Sequence, residues 1–234
     1  HVPLAIGTQT SGSVIRPAAY CGVFGFKPSF GLIPRGGVKL QSDTLDTVGV
    51  FARSVDDLAL WYAAMTGARA TFLNQPSYPN SHQNSHQNSR SLRINIITRL
   101  LDHADMEMGV TVAEASDVLS TAGVKIRDIK LPAIFDDAEA DQRLIQLSEM
   151  ARHYAWEHAE YRDLLSPQLA NALDEGARIS KEAYRQAMQR SDVLRKQADN
   201  LFGDCDAWLM PAAPGGAPKG LDATGDPVFN RLPT

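Results

Sequence analysis

Residues 7–19 read Gly7-Thr8-Gln9-Thr10-Ser11-Gly12-Ser13-Val14-Ile15-Arg16-Pro17-Ala18-Ala19. Small side chains surround the hydroxyl of Ser13, and Gly12 stands directly before it, which suits a tight turn with accessible backbone. With a positive φ at Gly12, the N–H groups from Thr10 to Ser13 would converge on one point beside that hydroxyl. A nucleophile next to converging amides is the layout of an acyl-transfer site, where the amides stabilise the oxyanion.

Three other interpretations of this stretch compete with acyl transfer. The spacing of Gly7 and Gly12 is that of a phosphate-binding P-loop, but Ser13 stands where that motif needs a lysine. The nucleophile elbow of α/β-hydrolases needs a glycine two residues before and two after the serine, whereas these places hold Ser11 and Ile15. The simplest alternative is a Gly/Ser/Thr loop that only turns the chain.

The sequence around this stretch carries an ordered set of short segments that favours the first interpretation. They are Pro3–Thr8, Ser13–Ala19, Cys21–Pro28, Gly31, Ser42–Gly49, Ala52–Asp57 and, near the end, Leu209–Pro214 and Thr224–Leu232. Together they closely resemble the amidase signature family of serine hydrolases. The resemblance implies an α/β fold with a mixed, largely parallel β-sheet core that is covered by helices on both faces.

The resemblance also implies a mechanism. Ser13 corresponds to the family's nucleophile, and the N–H groups of Thr10, Ser11, Gly12 and Ser13 correspond to its oxyanion hole. In this family a lysine, acting through a second serine with a cis peptide bond, takes the proton from the nucleophile, and both groups lie upstream of it. No lysine stands among the twelve residues before Ser13. An unassisted serine is a weak nucleophile, so we expect the 234-residue segment alone to be nearly inactive.

The sequence departs from the commoner family pattern at two positions. Many members carry an acid four residues before the nucleophile and an arginine two residues after it, whereas here these places hold Gln9 and Ile15, and Arg16 follows. We expect Arg16 to anchor on Asp46 or on loop carbonyls, so that both residues support the loop. Lys27 and Lys39, the nearest lysines, are predicted to be structural or surface cations and not the base.

Composition excludes several classes of function. The net charge of −4 gives no basic face for nucleic acid, and no apolar run approaches the roughly 18 residues of a membrane span. Two distant cysteines, Cys21 and Cys205, indicate reduced thiols in a cytoplasmic protein and no zinc site. We expect no metal or cofactor, a small-molecule amide as substrate, and leave a homodimer open. The abrupt ends, His1-Val2 and Leu232-Pro233-Thr234, indicate a segment of a longer enzyme, cut at the N-terminus and at the C-terminus.

The pattern along the chain predicts one amidase-like domain made of successive parts. These are the nucleophile loop and signature core at 1–70, an exposed loop or linker at 74–91, a βαβ unit at 92–133, a helical substrate-side region at 134–205, and a strand and loop at 206–234. His82 and His86 belong to a repeated polar tetrad and are predicted to be solvated. In the helical region, Leu144, Leu147, Met150, Tyr154 and His158 form a stripe that is predicted to face the core. The alternative is that Tyr154 and Trp156 line a substrate channel.

Three functions fit these observations. The leading hypothesis is an amidase that hydrolyses the carbon–nitrogen bond of a carboxamide through an acyl-enzyme on Ser13. A variant is the amidotransferase component that resembles this family and hands ammonia to a misacylated tRNA. The third is a non-catalytic remnant that keeps the fold and binds a ligand or partner.

Overall fold

The computed structural model describes residues 2–67, 91–203 and 205–234. Within these residues the strands form two three-stranded sheets, antiparallel in the order β1-β3-β2 and parallel in the order β5-β4-β6. The strands are β1 (Leu4–Gln9), β2 (Phe24–Phe26), β3 (Thr47–Ala52), β4 (Arg93–Ile97), β5 (Lys125–Ile129) and β6 (Ala207–Leu209). The predicted α/β class with mixed strand directions is confirmed, and the sheet that leads into the Ser13 loop is the antiparallel one.

Helices make up most of the remaining structure. They are α1 (Ile15–Tyr20), α2 (Val55–Thr66), α3 (Met106–Thr121), α4 (Ala138–His153), α5 (Ala155–Glu160), α6 (Pro167–Ala177), α7 (Lys181–Phe202) and α8 (Val228–Arg231), with 3₁₀ turns at Thr98–His103, Ala133–Phe135 and Arg162–Leu164. Ser54 is a good N-cap and Gly67 a good helix end, so the sequence predicts a helix over Val55–Thr66, and α2 has these bounds. The Ser54 side chain accepts a hydrogen bond from the Asp57 N–H, and Gly67 closes the helix at φ 70°.

The predicted strand–helix–strand unit is present in β4, α3 and β5. The two strands are parallel, from Arg93 opposite Lys125 to Ile97 opposite Ile129, and the Asp105 side chain caps α3. β6 pairs with the other side of β4, so the C-terminal part of the chain returns to this sheet. The predicted linker at 74–91, with its two histidines, lies outside the described residues except for Ser91.

Glycines on one face of the antiparallel sheet create the space for the Ser13 loop. Gly7 and Gly49 are directly opposite each other in β1 and β3. A Cβ atom on Gly49 would lie 2.9 Å from Val14 Cγ2, and one on Gly25 would lie 2.6 Å from the Ala18 Cβ atom. The fully buried side chain of Val14 therefore sits in a shallow depression, which we call the glycine seat, formed by Gly7, Gly25 and Gly49.

The other face of this sheet packs against α2. Val50 and Ala52 of β3 form an apolar cluster with Leu58 of α2. Because α1 lies over the glycine seat, the antiparallel sheet carries helices on both faces. The packing of α1 on one face and of α2 on the other fixes the register of the sheet's strands in part, since successive residues of a strand point to opposite faces.

The helical region from α4 to α7 has its own core. Leu147 and Met150 of α4 are buried against Leu173 of α6, which confirms the core-facing prediction for these two residues. The last residue of the predicted stripe, His158, lies on α5 and forms an ion pair with Asp174 instead. Gly176 lies one residue before the end of α6, close to the break between α6 and α7 that a glycine in a helical pattern predicts. A Cβ atom there would lie 2.1 Å from the Leu147 carbonyl oxygen, so the glycine permits the close approach of α4 and α6.

Candidate active site

Ser13 lies between β1 and α1, at the end of a loop whose preceding residues are buried. Thr10, Ser11 and Gly12 are buried, whereas Ser13 is exposed to solvent. Among the described residues its hydroxyl has no hydrogen-bond partner. The oxygen is therefore free to meet a substrate from the solvent side.

The backbone of the same loop offers free donors. The N–H groups of Thr10, Ser11, Gly12 and Ser13 donate to no acceptor in the part of the chain that the structure describes. Backbone donors in buried segments nearly always have partners, so four successive free ones are unusual. Donors of this kind beside a free hydroxyl can stabilise a negative oxygen that develops during attack on a carbonyl.

Gly12 fulfils its role in a different way from the one the sequence suggested. Its φ is not positive, so the expectation of a left-handed turn was wrong. Instead, a Cβ atom at this position would lie 3.0 Å from the Pro227 Cβ atom and 3.2 Å from the Asn230 Cβ atom. Glycine suits this position because the C-terminal segment packs closely on the loop and leaves little room for a side chain.

Gln9, the last residue of β1, binds the residues that follow Ser13. Its side chain is 1% exposed, and Oε1 accepts hydrogen bonds from the Val14 and Ile15 N–H groups, each at 3.0 Å. Nε2 donates to the Thr234 hydroxyl at 3.2 Å. The amide oxygen of Gln9 thus satisfies the first donors of α1, a task for which a neutral acceptor is sufficient. This explains why glutamine is compatible with the position that an acid commonly occupies in the family.

Replacing Gln9 by leucine is expected to lower the free energy of unfolding by about 1–3 kcal/mol, because the Val14 and Ile15 N–H groups lose their acceptor inside the protein. Urea unfolding followed by circular dichroism measures this change. Gln9→Glu is the matched control, since a carboxylate can still accept both bonds and should cost less than leucine. A leucine variant as stable as the glutamate variant would contradict the assigned role.

Asp46 holds the other side of the loop. Its Oδ1 accepts a hydrogen bond from the Thr10 hydroxyl at 2.5 Å. Its Oδ2 accepts from the N–H groups of Gln41 at 2.6 Å and Ser42 at 3.1 Å, and the side chain is 3% exposed. The carboxylate therefore joins the turn at 41–46 to the first residue of the free-amide loop.

The expected pairing of Arg16 with Asp46 is not formed. Arg16 is buried, and its Nη2 donates instead to the Thr224 hydroxyl at 3.2 Å. Burial lowers the pKa of the guanidinium, while the nearby charges of Tyr20 and Asp226 act in the opposite direction. Arg16 therefore anchors the C-terminal segment near residues 224–226, and the turn at 41–46 is held by other groups.

Two glutamines of α4 were missed by the sequence analysis. Gln142 Nε2 donates to the Thr10 carbonyl oxygen at 2.9 Å and to the Ser11 hydroxyl at 3.0 Å. The Ser11 hydroxyl in turn donates to Gln146 Oε1 at 2.7 Å. Their spacing of four residues places both on one helix face, but nothing in the local sequence indicates which loop that face meets.

Neither lysine near the loop in sequence contacts Ser13. Lys27 Nζ donates to the Pro28 carbonyl oxygen at 3.2 Å, and burial lowers its pKa. Lys39 forms an ion pair with Glu157 at 2.6 Å and lies over the Tyr154 ring. Both have structural contacts, as predicted, and the described residues therefore bring no lysine to the nucleophile.

A cavity of about 1280 Å³ opens next to the loop, on the side of Gln9 and Ile15. Its wall is mostly apolar and includes Phe26, Phe135, Leu194, Trp208 and Phe229. Tyr154 and Trp156, the proposed channel residues, are not part of this wall: Tyr154 packs on the α4–α6 core, and Trp156 is 62% exposed.

In the described ranges, no three or more His, Cys, Asp or Glu side chains come together to hold a metal ion. No helix in these ranges combines the length and the apolar character needed to cross a membrane.

Comparison with known proteins gives consistent matches along the whole chain. The family model described as Amidase matches residues 1–231. A glutamyl-tRNA(Gln) amidotransferase subunit from Clostridium botulinum (strain Alaska E43 / Type E3) is 28% identical over 92% of this chain and 50% of its own length. The chain therefore spans about half the length of the curated relatives it matches.

Solved structures show the same relation. A crystal structure of an amidase superposes with a TM-score of 0.82 at 24% identity, covering 98% of this chain and 51% of that one. The 6-aminohexanoate cyclic dimer hydrolase superposes with a TM-score of 0.64 at 25% identity, covering 84% and 43%. The described fold is thus the fold of about half of these larger proteins.

Proposed function

The chain belongs to the amidase family, and from that premise we propose that Ser13 is the nucleophile of a site that hydrolyses the carbon–nitrogen bond of a carboxamide. The observation that carries the proposal is an exposed Ser13 hydroxyl at the end of a loop whose four successive N–H groups, like that hydroxyl, have no partner among the described residues. A loop that only turned the chain would have no need to leave these donors unpaired. Phosphate binding would need a lysine, and none of those described reaches this loop.

The proposed reaction has two stages. The Ser13 oxygen bonds to the carbonyl carbon, and the electron pair of the C=O bond moves to the oxygen, which the loop amides stabilise. The intermediate collapses, the C–N bond breaks, and the leaving amine takes up the proton that Ser13 lost. Water then attacks the resulting ester and releases the carboxylic acid and free Ser13.

The base of this reaction is proposed to be the family's lysine, acting through a second serine. The family resemblance places both groups upstream of the nucleophile. Ser11 is not that second serine in our proposal, because its hydroxyl is engaged with Gln142 and Gln146. In this proposal the described chain contributes the nucleophile and the oxyanion donors. Removal of one such donor typically lowers the catalytic rate by a factor on the order of 10²–10³.

A second candidate comes from the curated relatives, which include a component of the glutamyl-tRNA(Gln) amidotransferase. The same acyl chemistry on Ser13 would serve such a protein by releasing ammonia from an amide donor. The superposed 6-aminohexanoate cyclic dimer hydrolase supports the hydrolytic alternative. In either case we propose a small-molecule amide as the substrate of Ser13.

Covalent labelling tests the proposed nucleophile. The intact gene product that carries this chain is treated with a fluorophosphonate, which reacts with activated serines, and the labelled peptide is identified by mass spectrometry. We expect the label on Ser13, because its oxygen is exposed and activated. Ser11→Ala is the matched control in the same loop and should keep the label. An unlabelled protein, or a label elsewhere, would favour the non-catalytic remnant.

A further inference from the structure

We propose that Glu149, which does not touch the loop, is a positioning residue for the nucleophile loop and acts through Asp46 and Thr10. The proposal rests on the function proposed for Ser13. Glu149 belongs to α4, and its carboxylate is completely buried. A buried carboxylate is costly unless several donors satisfy it, so the identity of its donors indicates what it holds in place.

The donors to Glu149 come mainly from the turn at 41–46. The hydroxyl of Ser42 donates to Oε2, and Thr44 donates through its N–H at 3.1 Å and through its hydroxyl at 3.0 Å. The Tyr184 hydroxyl of α7 donates to Oε1 at 2.6 Å, and Arg152 Nη2, one turn further along α4, pairs with the same oxygen at 3.6 Å. Burial raises the pKa of Tyr184, and its hydrogen bond to Glu149 adds to this. Glu149 therefore ties the turn to two helices.

The same turn holds the nucleophile loop. The Ser42 N–H donates to Asp46, and the Asp46 carboxylate accepts the Thr10 hydroxyl. Ser42 is thus bonded to Glu149 through its hydroxyl and to Asp46 through its backbone. Glu149 and Asp46, both buried carboxylates, thus connect α4 through Ser42 to Thr10. Thr10 carries the first of the four N–H groups that have no partner in the described part of the chain.

One face of α4 carries three residues that support the nucleophile loop, either directly or through the turn at 41–46. Gln142, Gln146 and Glu149 follow a spacing of four and three residues, which places them on one stripe. Gln142 and Gln146 contact the Thr10 and Ser11 side of the loop directly. Glu149 adds support for the Thr10 side chain, through the turn at 41–46 and Asp46.

Glu149→Gln tests the proposal in the intact gene product. A glutamine has one acceptor oxygen, and its NH₂ group faces donors, so the turn loses part of its anchoring. A small displacement of catalytic groups is costly, so we expect kcat and the rate of fluorophosphonate labelling to fall about tenfold, with KM within about twofold. The matched control is Glu175→Gln, which breaks an exposed ion pair with Arg143 and should change neither.

A double-mutant cycle distinguishes positioning from general destabilisation. If Glu149 acts through Thr10, then Glu149→Gln added to Thr10→Val lowers kcat little further than Thr10→Val alone, because the link is already cut. If the two substitutions lower kcat independently, so that their factors multiply in the double variant, the proposal is wrong. It is also wrong if kcat is unchanged in Glu149→Gln. If that variant does not fold, Tyr184→Phe removes one donor and should give a smaller fall in kcat of the same kind.

Hydrogen exchange separates failure of this inference from failure of the proposed function. In Glu149→Gln we expect faster exchange in segments 9–16 and 41–46, where backbone N–H groups donate to Gln9, Ser42 and Asp46, and no change in α3. If the wild type neither turns over nor labels, the proposed function fails, but this exchange pattern still tests the connection. Unchanged exchange in both segments would overturn it.

Discussion

Replacing Ser13 by alanine is expected to lower amide turnover by a factor on the order of 10⁴–10⁶, because the covalent intermediate can no longer form while the oxyanion donors remain. The substitution removes one exposed oxygen that has no partner among the described residues. The free energy of unfolding should therefore stay within about 0.5 kcal/mol of the wild-type value. A large loss of activity with no loss of stability is the signature of a reacting group.

The measurement is steady-state hydrolysis of simple carboxamides by the intact gene product, with thermal unfolding of the same samples. Ser11→Ala serves as the neighbouring control: its hydroxyl bonds to Gln146, so its loss should reduce turnover by no more than about tenfold. Substantial turnover in Ser13→Ala would show that another residue is the nucleophile. An equal loss of turnover in both variants would show that the substitutions act by disrupting the structure of the loop.

Replacing Gly176 by alanine is expected to be the most destabilising single substitution considered for this chain. The new Cβ atom would lie 2.1 Å from the Leu147 carbonyl oxygen and 2.9 Å from the Ala151 Cβ atom, both belonging to α4. Alanine gains about 1 kcal/mol of helix propensity over glycine, but overpacking against backbone outweighs this. We expect a net loss of about 3 kcal/mol, which corresponds to a fall in melting temperature of about 6–12 °C.

Gly109→Ala provides the matched control for this prediction. Gly109 also lies inside a helix, α3, but a Cβ atom there would meet nothing within 4 Å. The propensity gain is then unopposed, and the melting temperature should rise slightly. Differential scanning calorimetry of the two variants separates helix propensity from helix packing. Similar shifts in both variants would show that α4 and α6 can move apart at little cost.

Local signals were sufficient for several elements of the fold. The cap at Ser54 and the glycine at Gly67 fixed both ends of α2, and strand-like patterns around a helical one identified β4, α3 and β5. In each case the determining residues are close together in sequence. The prediction of a site at the Ser13 loop rests on the same kind of signal, because its glycines and hydroxyls are contiguous.

The support of the loop could not be predicted in this way, because it comes from distant segments. Gln142 reaches the Thr10 carbonyl oxygen across 132 positions of sequence. Thr224, and not Asp46, turned out to be the partner of Arg16. Gly12 illustrates the same limitation: its glycine character suggested a backbone conformation, whereas the reason lies in its contact with Pro227.

The glycine seat also determines how β1 and β3 can align. Gly7 and Gly49 face each other in the native register, and a slip of two residues, which keeps each side chain on its face, would place Thr47 or Phe51 opposite Gly7. Either slip would separate the two facing glycines that leave room for Val14. We therefore expect the two facing glycines to favour the native strand register during folding, since this is the pairing that accommodates Val14 and, with it, the serine that precedes it.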